Sequence, residues 1–362
     1  MTLLKKTAVA LAAFGALTGV AHAQSNVTLY GLVDLYVGKN TTRTTVAGVS
    51  TRTGPGTSLT SGGLNGSRWG LRGTEDLGGG LKATFQLESG FNADTGTSAV
   101  AGGGFNRTSK AGLSGGFGSF EMGRQYTQMF LLMDRFDAQG TSSFSATNAI
   151  FGPAPAGALP GTTPAAVGAL SPALRRDNML QYTTPNMGGF TGALQYAFGE
   201  NGGPGVSAGR TMGLSALYEG GPVAVQGVYE AVKSAGPAAT TAKSTGLGVS
   251  YDFTAVKVLA QFVNQKNGLA NGIKDSGFVL SVAVPVGSAG SLNAGIGSEK
   301  TKAVATGLRV GKTTSASVEY RHDLSKRTTM YAGLTNVKFE RESAPVSTLK
   351  DQTYGVGLRH RF

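Results

Sequence analysis

The chain has no cysteine and one tryptophan among 362 residues, with three histidines. Without cysteine there is no disulfide framework and no thiolate metal centre. Only 14% of the residues are charged. Beyond residue 23 no stretch approaches the roughly 18 consecutive apolar residues read as a spanning helix. A chain without such a stretch can still cross a bilayer in one way, as a closed barrel, because every backbone N–H and C=O there must be paired within the protein.

What is present begins with Met1-Thr2-Leu3-Leu4-Lys5-Lys6, an apolar run over 8–20 and Ala21-His22-Ala23 before Gln24. A charged start, a short apolar centre and an A-x-A site read as a secretory signal peptide over 1–23; a single transmembrane anchor is the alternative, and the run is too short for it. Four N-x-S/T triplets, at Asn26, Asn40, Asn65 and Asn106, are expected by chance in such a chain. Removing 1–23 takes away Lys5 and Lys6 and leaves 30 basic against 20 acidic residues, a net charge of +10. A basic balance suits nucleic acid, an acidic surface or an anion path; export argues against nucleic acid.

Residues 24–362 read as one domain of short alternating segments. Val27, Leu29, Val33 and Leu35 are apolar with Thr28 and Asp34 between them, the period of a half-buried strand. A polar Gly/Thr/Ser stretch over 39–64 reads as a long loop. Arg68 and Arg72 share one face of the next segment and Trp69 and Leu71 the other. After the turn at Gly78-Gly79-Gly80, Lys82, Gln86 and Glu88 alternate with Leu81, Phe85 and Leu87. The rhythm repeats over 106–124, 178–198, 211–232, 244–264, 277–297, 315–337 and 353–362, for a count of sixteen strands, with fourteen and eighteen as the alternatives, and short turns alternate with longer polar loops. That asymmetry marks an outer-membrane barrel. A soluble β-sandwich would bury the charged faces at high cost, whereas a water-filled lumen would not. The expected fold is therefore all-β, a transmembrane antiparallel β-barrel.

One stretch breaks the rhythm. Residues 125–174 show no helix or strand pattern, and 153–174 carry no charge at all. A structureless insertion of this length is functional or a misassignment; a functional one in a barrel wall is expected to fold into the lumen and narrow it.

Several segments resemble the Gram-negative general porins common in β-proteobacteria. They are Val27-Thr28-Leu29-Tyr30-Gly31, the block from Ser67-Arg68-Trp69-Gly70 to Gly80-Leu81, Gly123-Arg124-Gln125, Asp177-Asn178, Tyr182-Thr183-Thr184-Pro185 and the terminal Arg361-Phe362. The resemblance implies a homotrimer of sixteen-stranded barrels in the outer membrane. It implies passive diffusion of small hydrophilic solutes, anionic or neutral, and a third loop, here 125–174, that narrows the pore. It further implies contact with outer-membrane lipid and lipopolysaccharide, and a barrel-insertion machinery that reads the terminal aromatic, here Phe362. No cofactor and no nucleic acid are expected. Wall arginines facing loop carboxylates map by motif position onto Arg68, Arg107 and Arg175, with Arg72, Arg176 and Lys82 as further basic candidates. The carboxylates are Asp134 and Asp137, the only acidic residues between Arg124 and Leu174, with Arg135 between them. Arg124 suits an anchor at the loop base as well as a pore role.

Other motifs are weak. The G-x-G-x-x-A match at 203–208 contains a proline and precedes no helix. His322 beside Asp323 is the only loose hydrolase candidate, and no enzyme is expected. A barrel acting as adhesin or receptor through its loops is the alternative function.

Overall fold

The computed structural model describes residues 26–54, 56–100, 103–152, 173–199, 209–233, 240–269, 272–342 and 346–362. The expected signal peptide over 1–23 and the uncharged part of the insertion over 153–172 lie outside the described residues.

The strands are β1 (Asn26–Val46), β2 (Val49–Thr53), β3 (Thr57–Ser61), β4 (Arg68–Gly78), β5 (Leu81–Gly90), β6 (Thr108–Gly115), β7 (Gly118–Tyr126), β8 (Arg175–Thr183) and β9 (Phe190–Ala197). They continue as β10 (Thr211–Gly220), β11 (Val223–Lys233), β12 (Thr241–Asp252), β13 (Lys257–Lys266), β14 (Ile273–Val286), β15 (Gly290–Ala303), β16 (Arg309–Asp323), β17 (Thr328–Arg341) and β18 (Ser347–Arg361). From β4 onward each pairs antiparallel with the next. β18 returns to β1 from Leu32↔Arg361 to Val46↔Ser347, which closes the wall.

β2, β3 and β4 together fill one place beside β1: β4 pairs with its first residues, β3 with Leu35 to Lys39 and β2 with Thr42 to Val46. The barrel thus has sixteen spanning strands, the number expected. The expected loop over 39–64 is corrected, because much of it is strand. Its threonines suit extended backbone, but it carries no apolar face, so the alternation that reveals half-buried strands is missing.

Seven short turns and both described termini share one end of the barrel, and the long connections share the other. The turn after β4 places Gly78, Gly79 and Gly80 all at positive φ, of 85°, 60° and 81°, a backbone that side chains resist. Leu194, Leu214, Leu247, Phe262, Phe278, Ile296 and Val356 stand exposed on the outer face. An apolar belt of that extent is a lipid-facing surface.

The inside holds the core. Residues 125–174, expected to lack regular structure, contain two helices, α1 (Gln128–Arg135) and α2 (Ala146–Phe151). Alone such helices are far below the ~12–15 residues at which isolated helices become marginally stable. Here Thr127 caps α1 through Phe130 N–H, and Ser145 caps α2 through Thr147 and Asn148 N–H. Met129, Leu132, Met133, Phe136, Ile150 and Phe151 pack on Val228, Val263 and Val279 of the inner wall. Phe136 lies against Gly248 and Phe144 against Gly333 so closely that no Cβ fits at either glycine.

Candidate functional site

The loop is held by wall side chains at lumen-facing positions. Gln195 accepts Gln128 N–H at 3.0 Å, Ser281 accepts Ala138 N–H at 3.0 Å and Ser317 accepts Ala146 N–H at 3.1 Å. Gln261 donates to Thr147 Oγ1 at 2.8 Å, and Ser142 donates to Glu319 at 2.6 Å. The loop tip reaches across to residues 62–66. Ser143 N–H donates to the Gly63 carbonyl at 2.8 Å, and Phe144 packs with Leu64 and Tyr331. Those residues are fixed in turn by Asp34, which is fully buried and accepts the N–H groups of Gly63, Leu64 and Asn65 at 3.1, 2.9 and 2.8 Å, and the Tyr331 hydroxyl.

The wall from β4 to β8 is basic, and around Glu88 its charged side chains are half-buried or buried. Glu88 is its centre: Arg107 Nε donates to it at 2.7 Å, Arg68 Nε lies at 3.5 Å and the Tyr30 hydroxyl donates at 3.1 Å. Glu88 is therefore fully engaged. Arg107 also donates to the Tyr126 hydroxyl at 2.9 Å. Arg175 donates to the same hydroxyl, and its guanidinium lies 3.9 Å from the Tyr126 ring centre. The Nε groups of Arg175 and Arg176 are buried without a partner. A cavity of about 250 Å³ opens here, lined by Arg68, Glu88, Lys110, Tyr126 and Leu131 among others.

The expected residues thus divide. Arg68, Arg107 and Arg175 converge on Glu88 and Tyr126, and Arg176 flanks them. Arg72 lies four residues along β4 from Arg68, its guanidinium 5.1 Å from the Tyr30 ring centre. Lys82 stands opposite Asp76 and Ser114 at the short-turn end, away from the cluster. Arg124 anchors the loop base, donating to the Asn106 carbonyl at 2.8 Å and to Asp177 at 2.6 Å. Asp134 is exposed and accepts the Thr141 hydroxyl at 2.9 Å. Arg135 reaches Glu219 rather than either aspartate. Asp137 is buried and spent on the loop's own turn, accepting Gln139 and Thr141 N–H at 3.0 and 2.8 Å and the Ser145 hydroxyl at 2.5 Å. Burial pushes the Asp137 carboxyl above its ordinary value, against the pull of these donors. Phe362 exchanges backbone hydrogen bonds with Gly31 at 3.0 and 3.1 Å and lays its ring over that glycine, at the seam between β1 and β18.

Sequence reading missed Glu88 as the organiser, Tyr126 as the bridge and Asp34 as the support of the loop tip. Only the parity of Asp34 and Glu88, charged residues facing inward on strands, pointed to them.

Residues 7–342 match the Gram-negative porin family. Outer membrane porin protein 32 of Delftia acidovorans is 35% identical across 99% of this chain and 100% of its own length. An outer membrane porin of Bordetella pertussis is 32% identical over the same shares. The solved anion-selective porin from Comamonas acidovorans superposes with a TM-score of 0.74 at 30% identity, covering 93% of this chain and 100% of that one. An outer membrane protein of Vibrio cholerae, solved in a trimer form, shares the fold at 17% identity with a TM-score of 0.64. With a closed sixteen-stranded barrel, a loop docked in its lumen and full-length relatives of this kind, the chain belongs to the Gram-negative porin family and forms a passive channel in the outer membrane.

Proposed function

We propose that the channel prefers anions, and that Arg68, Arg107, Arg175 and Arg176 set the preference. The observation that carries this reading is the pair of buried, unpartnered Nε groups on Arg175 and Arg176 beside a carboxylate already engaged by two other arginines. Three guanidiniums, those of Arg68, Arg107 and Arg175, gather about the single carboxylate of Glu88 and the Tyr126 hydroxyl there. A unit charge ~4 Å away is worth about 1 kcal/mol in bulk water and about 4 kcal/mol at an effective dielectric of 20, so a permeating ion feels this excess strongly. The similar porin from Comamonas acidovorans is anion-selective, which agrees.

Permeation then needs no catalyst: a water-filled gap and a field suffice. The solutes are small anions and neutral hydrophilic molecules. The same reading takes 1–23 as a cleaved export signal, Phe362 as the residue read on insertion, and a homotrimer as the working form. The deciding experiment is reversal potential across a planar bilayer in a gradient around 0.1 M salt. A chloride-favouring potential is expected; a cation-selective channel overturns the assignment of the arginines, and an absence of conductance overturns the channel itself.

A further inference from the structure

On the short-turn side of the basic cluster lies a second lumen cavity, of about 590 Å³. That volume falls within the roughly 300–1,000 Å³ of small-molecule sites, and the 250 Å³ beside Tyr126 falls below it. Strand register builds the larger cavity from two levels of the inner wall. On the first, Thr28 stands opposite Arg72, Arg72 opposite Gln86 and Gln86 opposite Lys110, across β1, β4, β5 and β6. On the second, two residues nearer the short turns, Thr74 stands opposite Thr84. Glu121 of β7 shares that second level and pairs with Lys110 at 2.7 Å. Gln86 and Lys110 line both cavities, so the two are continuous.

The two cavities differ in what their side chains leave unused. Beside Tyr126, Arg107 and Glu88 are held by one another and by the tyrosine hydroxyls. In the larger cavity Arg72 lies 5.1 Å from the Tyr30 ring centre. Among the described residues it pairs with no carboxylate. A guanidinium held by an aromatic face keeps its N–H fork for an incoming anion. The hydroxyls of Thr28, Thr74, Thr84, Ser114 and Ser119 also line this cavity and hydrogen-bond to no protein group among the described residues. Lys110 and Glu121 neutralise each other, so Arg72 carries the net charge of the cavity. Only Phe85 around it is apolar, and Phe85 belongs to the outward face of β5.

We propose that this cavity is a binding site for phosphorylated sugars, met by a solute between the constriction and the short-turn mouth. A phosphomonoester presents three terminal oxygens, enough for the Arg72 fork and for an ammonium N–H of Lys110 that Glu121 leaves over. The five free hydroxyls, on strands ~5 Å apart, then donate to and accept from the hydroxyl groups of the sugar. A bare anion would leave those hydroxyls to water, and an apolar body would displace that water without replacing its hydrogen bonds. The proposal rests on the channel but not on the direction of its ion selectivity, so a reversal potential and solute binding can fail independently.

The experiment is block of the ion current through single channels in potassium chloride at about 0.1 M, a salt at which the Debye length is ~10 Å. The added probes are glucose 6-phosphate, glucose and inorganic phosphate. Glucose 6-phosphate is expected to block the wild-type channel more tightly than either of the others. Arg72→Gln should weaken that block at least about tenfold, as the loss of a hydrogen bond to a charged group does. The variant T74V/T84V should weaken block by glucose 6-phosphate and leave block by inorganic phosphate as it was, which a loss of charge would not do. A conducting wild-type channel that glucose 6-phosphate does not block overturns the proposal. Equal block by glucose 6-phosphate and inorganic phosphate overturns the assignment to sugars. Block that survives Arg72→Gln but is lost in Arg107→Gln places the site in the constriction and overturns it here. If a variant does not conduct, the wild-type comparison decides: equal block by the three probes overturns the proposal, and a preference for glucose 6-phosphate that fades at 1 M salt supports it.

Discussion

Two parts of the lumen wall face each other and are built oppositely. From β10 to β17 the inward positions under the loop include Gly246, Gly248, Gly295, Gly297 and Gly333, with Val228, Val263 and Val279 among them. From β4 to β8 they are Arg68, Glu88, Arg107, Lys110, Tyr126 and Arg175. Both are lumen faces of alternating strands, and in an empty barrel both would be wet. The difference shows that inward-facing is not one environment. One wall is recessed to receive side chains and so becomes a core; the other keeps its long cations and so becomes a field. The helices pack their apolar side chains on the recessed wall, while the loop tip crosses to residues 62–66 and Phe130 stacks on Tyr126 at the edge of the basic one.

The largest test of this contrast fills the recesses. Gly248→Leu and Gly333→Leu each place a side chain where the Phe136 or Phe144 ring now lies. Overpacking of this kind costs typically about 1–3 kcal/mol per site, and the barrel has an easier escape than distorting itself: the loop lifts off. The double variant should stay inserted, show higher single-channel conductance and lose solute-size discrimination in liposome swelling. Unchanged conductance in a folded double variant would mean that the loop holds its place without these contacts.

A smaller effect is expected where the loop tip crosses toward β1. Asp34→Asn keeps the shape but removes the charge that three N–H groups and the Tyr331 hydroxyl share. Its amide nitrogen must point at one of those donors, and a buried unsatisfied donor costs about 1–3 kcal/mol. Residues 62–66 should loosen, and with them Ser143 and Phe144. Open-channel noise should rise and closure should come at lower voltage, with mean conductance shifted less than in the glycine variants. Within the loop, Asp137→Asn should also disturb gating, because Asp137 holds the turn before α2, whereas Asp134→Asn, on an exposed side chain, should leave it quiet and alter selectivity slightly.

Much of the barrel was legible because lipid on one side and water on the other impose period two. β5 shows it plainly, with Leu81, Phe85 and Leu87 against Lys82, Gln86 and Glu88. The reading failed where that contrast ends. β2, β3 and the end of β1 carry threonine on both faces, so their strands left no alternation. α1 and α2 are too short to show a stripe and exist only through their caps and the wall. The basic cluster was legible in its residue types and motif positions; its organisation around Glu88 and Tyr126 was not. It joins residues 30, 68, 88, 107, 126 and 175 through strand register, which no local pattern contains. Asp134 and Asp137 look alike in sequence, and only the fold of the turn separates the exposed one from the buried one.

The finest test grades the basic wall by position. Arg107→Glu and Arg175→Glu should lower the chloride-to-potassium permeability ratio most, because both side chains meet at Tyr126, and the double change should lower it further. Arg68→Gln should come next, since Arg68 touches Glu88 more loosely, at 3.5 Å. Arg72, four residues along the strand, lies ~13 Å from that level, and Lys82, six residues from Glu88 along β5, ~20 Å. The Debye length is ~10 Å at 0.1 M salt and ~3 Å at 1 M. Arg72→Gln should therefore have a small effect at 0.1 M that vanishes at 1 M, and Lys82→Gln almost none at either. Lys39→Gln, on an outward-facing position of β1, should have none. The salt series separates a field from a contact: if Arg107 and Arg175 act through close contact with a passing anion, their effects persist at 1 M while that of Arg72 disappears. Equal effects from Arg107 and Lys82 at 0.1 M would show that the whole lumen charge, rather than the wall opposite the loop, decides which ions pass.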